Sequence, residues 1–326
     1  MYAVVVANPG GTESMQWQEV PDPQVGPGEV LIEVTATAVN RADVLQRMGF
    51  YPPPPGASDI LGLECSGIVT AVGPDVDESR IGDSVCALLT GGGYAQRVVA
   101  PVGQVMTLPA GIDVIKASGI PEVACTAWSN LADVAGMAAG DFVLLHGGAG
   151  GIGTFSIQLA RAFGATVGVT AGSAEKLAIC RDLGAELLIN YNEGDFVEDV
   201  KYVTSGRGAD IILDNMGAKY LQRNVDALAV DGRLVVIGMQ GGIKAELNLA
   251  TLLSKRAAIH ATSLRSRAVE QKAEICANVV DRVWPLIEDG RIRPIVDSVM
   301  PISEVAAAHQ RMEDSHHVGK IILTIR

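Results

Sequence analysis

Three glycines at positions 148, 150 and 153 fit the pattern G-x-G-x-x-G and stand between an apolar run and a stretch with helical periodicity. Residues 142–145 are apolar without alternation, as expected for a central strand of a parallel sheet. The glycines permit a tight turn, close approach of a pyrophosphate to bare backbone, and close packing of helix on strand. The helix N-terminus adds unpaired N–H groups and a positive dipole end. Glycine-rich turns also occur simply as turns, but the flanking strand and helix favour a dinucleotide site.

The residues after the second predicted strand decide which nicotinamide cofactor fits. Folds that prefer NAD place Asp or Glu about 20 residues after the glycines, where the carboxylate holds the ribose hydroxyls. Here the strand runs into Gly172-Ser173 without a carboxylate, and Glu175 falls in the first turn of the next helix, where acids are common. Ser173, Lys176 and Tyr191 offer a hydroxyl, an ammonium and a phenol, which suit a 2′-phosphate. Alone, Lys176 would be interpreted as a solvated helix lysine, but the missing acid favours NADPH.

Helices and strands alternate after Pro121, which predicts a doubly wound parallel sheet of the Rossmann type. A helix is predicted over 122–133, and six strands are predicted at 142–146, 165–171, 186–190, 209–214, 232–238 and 257–264. The preceding part is β-rich, with strands at 1–8, 29–36, 66–72 and 83–87 and a helix at 40–48. A terminal strand over 319–324 needs a sheet to join, so we expect the tail to rejoin the β-rich part. This α/β fold has one domain of residues 1–120 plus 289–326 and a second of residues 121–288.

Composition and charge restrict the function classes. Of 326 residues, 48% are hydrophobic and 19% charged, which fits a well-buried enzyme and argues against disorder. The net charge of −12 opposes a role in binding nucleic acid or an anionic membrane. Five scattered cysteines without C-x-x-C argue against a disulfide framework. With neither a leader pattern nor an apolar stretch of membrane-spanning length, we expect a cytoplasmic protein.

The order of a β-rich part, a dinucleotide-binding part and a returning tail resembles the medium-chain dehydrogenase/reductase superfamily. Its zinc alcohol dehydrogenases carry a catalytic cysteine where this chain has Asn40-Arg41-Ala42-Asp43, and Gly-His-Glu where it has Gly62-Leu63-Glu64. Cys125 alone cannot hold a zinc ion that needs three protein ligands, and the four-cysteine loop of the structural zinc is missing too. We therefore expect no metal site, and an electron-poor conjugated acceptor that takes hydride without a Lewis acid.

Nearly the full length of the chain is similar to the zinc-free quinone oxidoreductase branch of that superfamily. The similarity lies in the order and number of short stretches, namely residues 40–43, 49–58, 60–64, 91–95, 120–122, 170–173, 262–267 and 319–321. The Tyr51-polyproline segment and the run Thr262-Ser263-Leu264-Arg265-Ser266-Arg267 most resemble the tumour-suppressor-inducible NADPH:quinone oxidoreductase subgroup. The resemblance implies a GroES-like catalytic domain beside the Rossmann domain.

The resemblance also implies roles for individual residues. Asn40 and Asp43 would line the nicotinamide side of an interdomain cleft, Thr126 would face the nicotinamide, and Tyr51 would lie beside the quinone. The pyrophosphate would be held by Gly150, Gly151, Ile152 and Gly153, and the 2′-phosphate by Gly172, Ser173, Lys176 and Tyr191. The remaining cofactor contacts would be Asn215, Gly238, Met239, Leu264, Arg265 and Lys320. Relatives often have serine at the position of Gly150, so a role for that hydroxyl is absent here.

Three of these side chains have a structural alternative. Tyr51 is the candidate to donate a hydrogen bond or a proton to the quinone oxygen, or it stacks on its own prolines and holds the loop. Asp43 lies in the cleft or is an acid on a helix surface. Arg265 binds phosphate or pairs with a surface carboxylate. The main catalytic contribution would be positioning of the acceptor against NADPH in a dry site.

Two other functions remain open on the sequence. An enoyl-thioester reductase uses the same fold, cofactor and hydride geometry, with a tyrosine that donates the proton. A nucleotide-binding structural or RNA-binding protein is the alternative of another class, and the acidic surface argues against RNA. Residues 257–264 would form an edge strand, which predicts a homodimer because an unprotected apolar edge pairs with its copy, as relatives do.

Overall fold

The computed structural model describes residues 1–325 and divides into two compact units. Unit 1 consists of residues 1–125, 264–290 and 294–325, and unit 2 of residues 126–263 and 291–293. No helix within the described residues has the length and apolar character needed to cross a membrane.

The strands, in chain order, are β1 (Tyr2–Val6), β2 (Met15–Glu19), β3 (Glu29–Val39), β4 (Glu64–Val72), β5 (Ser84–Leu88), β6 (Arg97–Pro101), β7 (Val105–Thr107), β8 (Phe142–His146), β9 (Thr166–Ala171), β10 (Leu187–Asn190), β11 (Ala209–Asp214), β12 (Leu228–Val236), β13 (Ala258–Ala261), β14 (Val296–Pro301) and β15 (Lys320–Thr324). The α-helices are α1 (Arg41–Arg47), α2 (Val114–Ala117), α3 (Pro121–Trp128), α4 (Gly151–Ala162), α5 (Ala174–Asp182), α6 (Phe196–Val203), α7 (Leu221–Ala227), α8 (Leu249–Ser254), α9 (Val269–Arg282), α10 (Trp284–Glu288) and α11 (Val305–Glu313).

Unit 2 contains a six-stranded parallel sheet in the order β10-β9-β8-β11-β12-β13. Every residue of the central strand β8 is buried, because helices cover both faces of such a sheet. The predicted doubly wound sheet of six strands is therefore confirmed. The chain order reverses between β8 and β11, and in open α/β sheets ligands bind at the carboxyl ends of the strands beside such a reversal.

Unit 1 is built on a seven-stranded sheet with the path β14-β15-β3-β4-β5-β7, and β6 also pairs with β3. In β3 buried residues alternate with partly exposed ones from Glu29 to Ala36, so one face supplies Val30, Ile32 and Val34 to the core. The last strand, β15, pairs antiparallel with β3 and parallel with β14. The predicted return of the tail to the β-rich part is confirmed.

Residues 264–288 differ from the predicted division, because they pack with unit 1. Helix α9 buries Ile275, Cys276 and Val279 along one face. The indole of Trp284, in α10, donates a 2.7 Å hydrogen bond to the carbonyl of Thr107 at the end of β7. An amphipathic helix needs an apolar partner, and its sequence does not say which sheet supplies it.

The helix predicted over 122–133 is continuous but changes its geometry. The α-helix α3 ends at Trp128, and residues Ser129–Val134 form a π-helical turn. The side-chain amide of Asn130 donates a 2.8 Å hydrogen bond to the Thr126 carbonyl, the acceptor that an α-helix would offer to the Asn130 backbone. The side-chain amide thus takes the place of the backbone N–H at this carbonyl, and the helix widens here into a π-helical turn. Such turns are frequent at functional sites.

Candidate active site

The glycine turn of unit 2 joins β8 to α4 and has little space for side chains. Gly147 has a φ of +71°, a conformation that residues with a Cβ rarely adopt. A Cβ at Gly148 would lie 2.7 Å from the Val169 Cβ of β9. A Cβ at Gly153 would lie 2.4 Å from the Gly147 carbonyl oxygen. The backbone conformation therefore requires glycine at position 147, and close packing requires it at positions 148 and 153.

Gly150 is different, because the fold itself leaves room beside it. A Cβ there would approach the Gly147 carbonyl oxygen only to 3.5 Å, which is an ordinary contact. Gly150 is the N-cap of α4, with extended backbone angles and no side-chain cap. The bare turn thus presents the first N–H groups of a 12-residue helix to any phosphate that approaches it.

Asn215 follows β11 and lies against the glycine turn. Its amide nitrogen is 2.7 Å from the position that a Cβ on Gly147 would take. A Cβ on Gly238, which follows β12, would lie 2.9 Å from the Asn215 carbonyl oxygen. The side-chain oxygen of Asn215 is buried and has no hydrogen-bond partner within residues 1–325. An orphaned acceptor at the reversal of strand order fits a ligand that brings its own N–H groups.

Of the four residues predicted to hold a 2′-phosphate, Gly172 and Ser173 follow β9, Tyr191 follows β10, and Lys176 lies in the first turn of α5. A Cβ on Gly172 would lie 2.4 Å from the Tyr191 hydroxyl, so this phenol lies over the Gly172 backbone. Ser173 is the N-cap of α5 and accepts a 3.3 Å hydrogen bond from the backbone N–H of Lys176. The half-exposed Tyr191 and the serine hydroxyl thus lie beside a helix N-terminus.

Thr126 and Met239, which are also predicted to contact the cofactor, belong to unit 2 as well. Thr126 is buried, and its carbonyl accepts the bond from Asn130 in the π-helical turn. Thr262, after β13, donates a 2.6 Å hydrogen bond to the side-chain oxygen of Asn130 and so fixes that amide. Met239 lies beyond Gly238 and is 61% exposed, which leaves its thioether free to cover a ligand.

In unit 1 a buried ion pair holds the side chain of Asn40. The Lys320 ammonium lies 2.7 Å from a carboxylate oxygen of Glu64. It also donates to the Asn40 side-chain oxygen at 2.7 Å and to the Val39 carbonyl at 3.3 Å. The Asn40 amide donates in turn to Glu64 at 2.9 Å. All three protons of the ammonium are used within unit 1, so Lys320 orients Asn40.

Asp43 lies one turn into α1 and is fully buried, so the alternative of an acid on the helix surface is wrong. Its carboxylate accepts from the backbone N–H of Asn40 at 2.8 Å and of Gly62 at 2.9 Å. The Tyr94 hydroxyl lies 3.4 Å from it and 3.1 Å from His309. Burial raises the pKa of Asp43 to about 6 against the opposing effect of these hydrogen bonds. The contacts make Asp43 a positioning group for Asn40.

Tyr51 and Arg265 lie in contact within unit 1. The guanidinium carbon of Arg265 is 5.4 Å from the centre of the Tyr51 ring. This distance is within the range of a cation–π interaction. The Arg265 Nε donates a 2.8 Å hydrogen bond to the Thr90 carbonyl, and Leu264 beside it is buried. Tyr51 therefore has a partner beyond its own prolines.

Sequence reasoning missed several residues of this site. The sequence singles out Glu64 only because it stands where a ligand motif would be, it indicates a packing role for Tyr94 beside three glycines, and it indicates no role for Glu122, Thr90 and Lys272. The available signal was Glu64 itself, a carboxylate beside glycines in an otherwise apolar stretch, which needs a cation when buried. Within residues 1–325 no three His, Cys, Asp or Glu side chains are grouped as a metal would require.

The backbone N–H of Glu122 donates to Glu64 at 3.0 Å, and burial raises the pKa of the Glu122 carboxyl to about 8. Since this folded-state pKa lies above the ordinary value of 4.5, protonated Glu122 stabilises the fold at low pH, and this contribution is lost as pH rises toward 8. We therefore expect Glu122→Gln to match the wild type below pH 4.5 and to be more stable than it above pH 8. Thermal unfolding as a function of pH tests this, and a difference that does not vary with pH would contradict it.

Comparison with known proteins places the two units in one family. The model of the alcohol dehydrogenase GroES-like domain matches residues 26–110, and that of the zinc-binding dehydrogenase matches residues 151–279. A 2-haloacrylate reductase from Burkholderia sp. is 30% identical over 335 residues, covering 98% of each chain. The chain belongs to the medium-chain dehydrogenase/reductase superfamily. Its unit 1 contains the GroES-like domain of that superfamily.

Two solved structures are similar to this chain over nearly its whole length. A mycobacterial protein complexed with NADPH is 30% identical, covers 99% of each chain and superposes with a TM-score of 0.88. Escherichia coli quinone oxidoreductase complexed with NADPH is 27% identical, with a TM-score of 0.88 over 99% of this chain and 100% of that one.

Much longer proteins also contain a related segment. A mycocerosic acid synthase-like polyketide synthase of Mycobacterium tuberculosis is 31% identical over 321 residues. The match covers 98% of this chain, which spans only 15% of the length of that synthase.

Proposed function

We propose that this chain is an NADPH-dependent quinone oxidoreductase, zinc-independent, that passes hydride or single electrons to quinones and related conjugated acceptors. The observation that carries the proposal is the bare glycine turn beside the orphaned Asn215 oxygen, a cradle that fits a dinucleotide. The similarity to quinone oxidoreductases, one of them complexed with NADPH, supports the cofactor and the acceptor class. Oxidation of NADPH in the presence of menadione or phenanthrenequinone tests this acceptor class directly.

The residues of unit 2 would bind and orient the cofactor. The backbone N–H groups from Gly150 to Gly153 would hold the pyrophosphate, and the side-chain oxygen of Asn215 would accept from the carboxamide. Gly172, Ser173, Lys176 and Tyr191 would hold the 2′-phosphate. Thr126, Gly238 and Met239 would complete the contacts of unit 2, and Leu264 of unit 1 would add a further one. Bound in this way, NADPH supplies the hydride.

The residues of unit 1 would position the acceptor. Asn40 would contact the reacting rings, held in one orientation by Lys320 and, through its backbone, by Asp43. Tyr51 would donate a hydrogen bond or a proton to the acceptor oxygen that gains negative charge. No residue in this scheme acts as a Lewis acid, so positioning of the acceptor supplies most of the rate enhancement.

Reduction of conjugated carboxylic acid derivatives is the second candidate function. The Burkholderia relative is named as a reductase of 2-haloacrylate, which is a conjugated carboxylic acid, and the longer mycobacterial relatives are named as polyketide synthases. A carbon–carbon double bond conjugated to a carbonyl takes hydride as a quinone does, and a tyrosine would again supply the proton. An enoyl-thioester reductase and a quinone oxidoreductase therefore require the same residues and differ in the acceptor.

Lys176→Ala tests the 2′-phosphate site. Removing an ammonium that contacts a phosphate removes a charge-assisted hydrogen bond, so we expect the KM for NADPH to rise about tenfold or more. The KM for NADH, which has no 2′-phosphate, should stay unchanged. Steady-state kinetics with both cofactors gives the result, and equal changes in the two KM values would exclude this role for Lys176.

We also propose that the protein is a cytoplasmic homodimer. Strand β13 is the outermost strand of the unit 2 sheet, next to β12 alone, and a second copy would extend the sheet there. The neighbouring helix α8 exposes Leu249 and Leu253, which are 69% and 80% accessible. Five buried free cysteines suit a reducing compartment. Sedimentation equilibrium of the wild type against Leu253→Glu measures the association.

A further inference from the structure

Arg265 carries a positive charge that the described protein leaves incompletely paired. Its side chain belongs to a residue only 5% exposed, and Nε donates to the Thr90 carbonyl. Both terminal nitrogens, Nη1 and Nη2, are buried and have no hydrogen-bond partner within residues 1–325. A guanidinium remains charged when buried, and buried N–H groups without acceptors are costly. The four N–H protons on Nη1 and Nη2 of Arg265 therefore have no acceptor within residues 1–325.

Lys272 adds a second cation to the same cluster. It is 4% exposed, and its ammonium donates to the Thr90 hydroxyl at 2.7 Å and lies 3.5 Å from the Arg265 carbonyl. Thr90 thus receives a hydrogen bond from each of the two cations. Glu122 is the carboxyl that interacts electrostatically with both cations, and no carboxylate oxygen accepts a hydrogen bond from the terminal nitrogens of Arg265 within residues 1–325. Buried charges in native proteins are paired or bind a ligand, so two adjacent buried cations indicate an anion from outside.

The acidic groups of unit 1 do not supply that anion. Glu64 is already paired with Lys320, and Asp43 is held by backbone N–H groups. Glu122 interacts electrostatically with both cations, yet it accepts no hydrogen bond from the terminal nitrogens of Arg265, and burial raises the pKa of its carboxyl to about 8. Burial lowers the pKa of the Lys272 ammonium, and the positive charge of Arg265 lowers it further, against the opposing effect of Cys276 and Glu122.

We propose that Arg265 and Lys272 bind a carboxylate carried by the acceptor molecule. Two parallel N–H groups of a guanidinium match the two oxygens of a carboxylate, and the ammonium adds a point charge beside them. The guanidinium packs on Tyr51, the residue assigned to the acceptor oxygen, so the inference rests on the proposed function for this part. The proposed function already assigns the phosphate groups of the cofactor to residues of unit 2 and Tyr51 to the acceptor, so we assign the anion to the acceptor.

Benzoate and benzamide are the probes, because they differ in charge and little in shape. We expect the wild type to bind benzoate about tenfold or more tightly than benzamide, since only the anion satisfies both cations. In Arg265→Gln the two probes should bind alike. Arg282→Gln, which changes an exposed arginine at the end of α9, is the matched control and should keep the preference. Calorimetric titration of the purified protein measures this without turnover.

Kinetics then identifies the source of the anion. If the acceptor carries the anion, benzoate should inhibit menadione reduction competitively in the wild type. Arg265→Gln should then leave the KM for NADPH unchanged. A rise in the KM for NADPH without loss of benzoate binding would assign the anion to the cofactor and overturn the proposal. So would a wild type that binds benzoate no better than benzamide. Benzoate binding in a protein that reduces no quinone would leave the anion site standing and refute the proposed function instead.

Thermal unfolding provides a second measurement that does not depend on activity. An unpaired buried charge destabilises the free protein, so Arg265→Gln should melt at a higher temperature than the wild type. Benzoate should raise the melting temperature of the wild type and not that of the variant. A variant that melts lower than the wild type and still responds to benzoate would contradict an anion site at Arg265.

Discussion

Lys320→Met is expected to reduce the free energy of unfolding by about 3–5 kcal/mol, the cost of leaving one partner of a buried ion pair uncompensated. The side chains of Lys320 and Glu64 are 6% and 0% exposed, so water cannot replace the lost ammonium. The same change removes the hydrogen bond that fixes the Asn40 amide, and we expect kcat to fall with it. Chemical denaturation and steady-state kinetics measure the two losses.

The control for this prediction is the double variant Lys320→Met/Glu64→Gln. Because it removes both charges and keeps a hydrogen-bonding group at position 64, we expect it to recover part of the stability that Lys320→Met alone loses. The effects of the two substitutions on the free energy of unfolding should therefore be strongly non-additive. Additive losses would mean that the pair contributes little and that Lys320 stabilises the fold by packing alone.

Gly153→Ala should weaken NADPH binding about 100-fold, the scale of loss when a binding loop is displaced by roughly 1 Å. Two effects compete here. Alanine in a helix usually gains about 0.5–1 kcal/mol over glycine. A Cβ 2.4 Å from the Gly147 carbonyl oxygen and 2.5 Å from that of Gly148 cannot be accommodated, so the glycine turn must shift. The steric effect dominates because both contacts are with backbone.

Gly150→Ala is the matched control, because it makes the same substitution three residues earlier. A Cβ there meets only one atom, at 3.5 Å, so the turn need not move. We expect this variant to bind NADPH far more tightly than Gly153→Ala does. Fluorescence titration with NADPH compares them, and equal affinities would exclude the turn as the pyrophosphate site.

The nucleotide-binding half of the fold could be predicted because its signals are local. A strand, a glycine turn and a helix follow one another within about twenty residues, a spacing that fits one βα unit. The positions of β8, β9 and β11 agree with the predicted strands to within one residue. The sequence pattern does not rank the glycines correctly, however. Gly147, which lies outside the pattern, has a backbone conformation that requires glycine, whereas Gly150, which lies within it, has room for a Cβ.

The site in unit 1 could not be predicted in the same way, because distant segments assemble it. Asn40 and Lys320 are 280 residues apart in sequence, and neither residue type specifies the other. Lys272 and Arg265 lie in a stretch that was predicted to belong to the nucleotide-binding domain. Their partner Thr90 is 182 residues from Lys272. Periodicity indicates that a helix has an apolar face, whereas the sheet that covers it depends on the whole fold.

The central claim is that a reduced pyridine nucleotide bound in unit 2 reduces quinones. Its most direct test is the rate of NADPH oxidation with menadione and phenanthrenequinone, compared with crotonyl thioesters under the same conditions. We expect a higher kcat/KM for the quinones, and a higher kcat/KM with NADPH than with NADH. A preference for the thioester, or no NADPH oxidation with any quinone, would contradict the account.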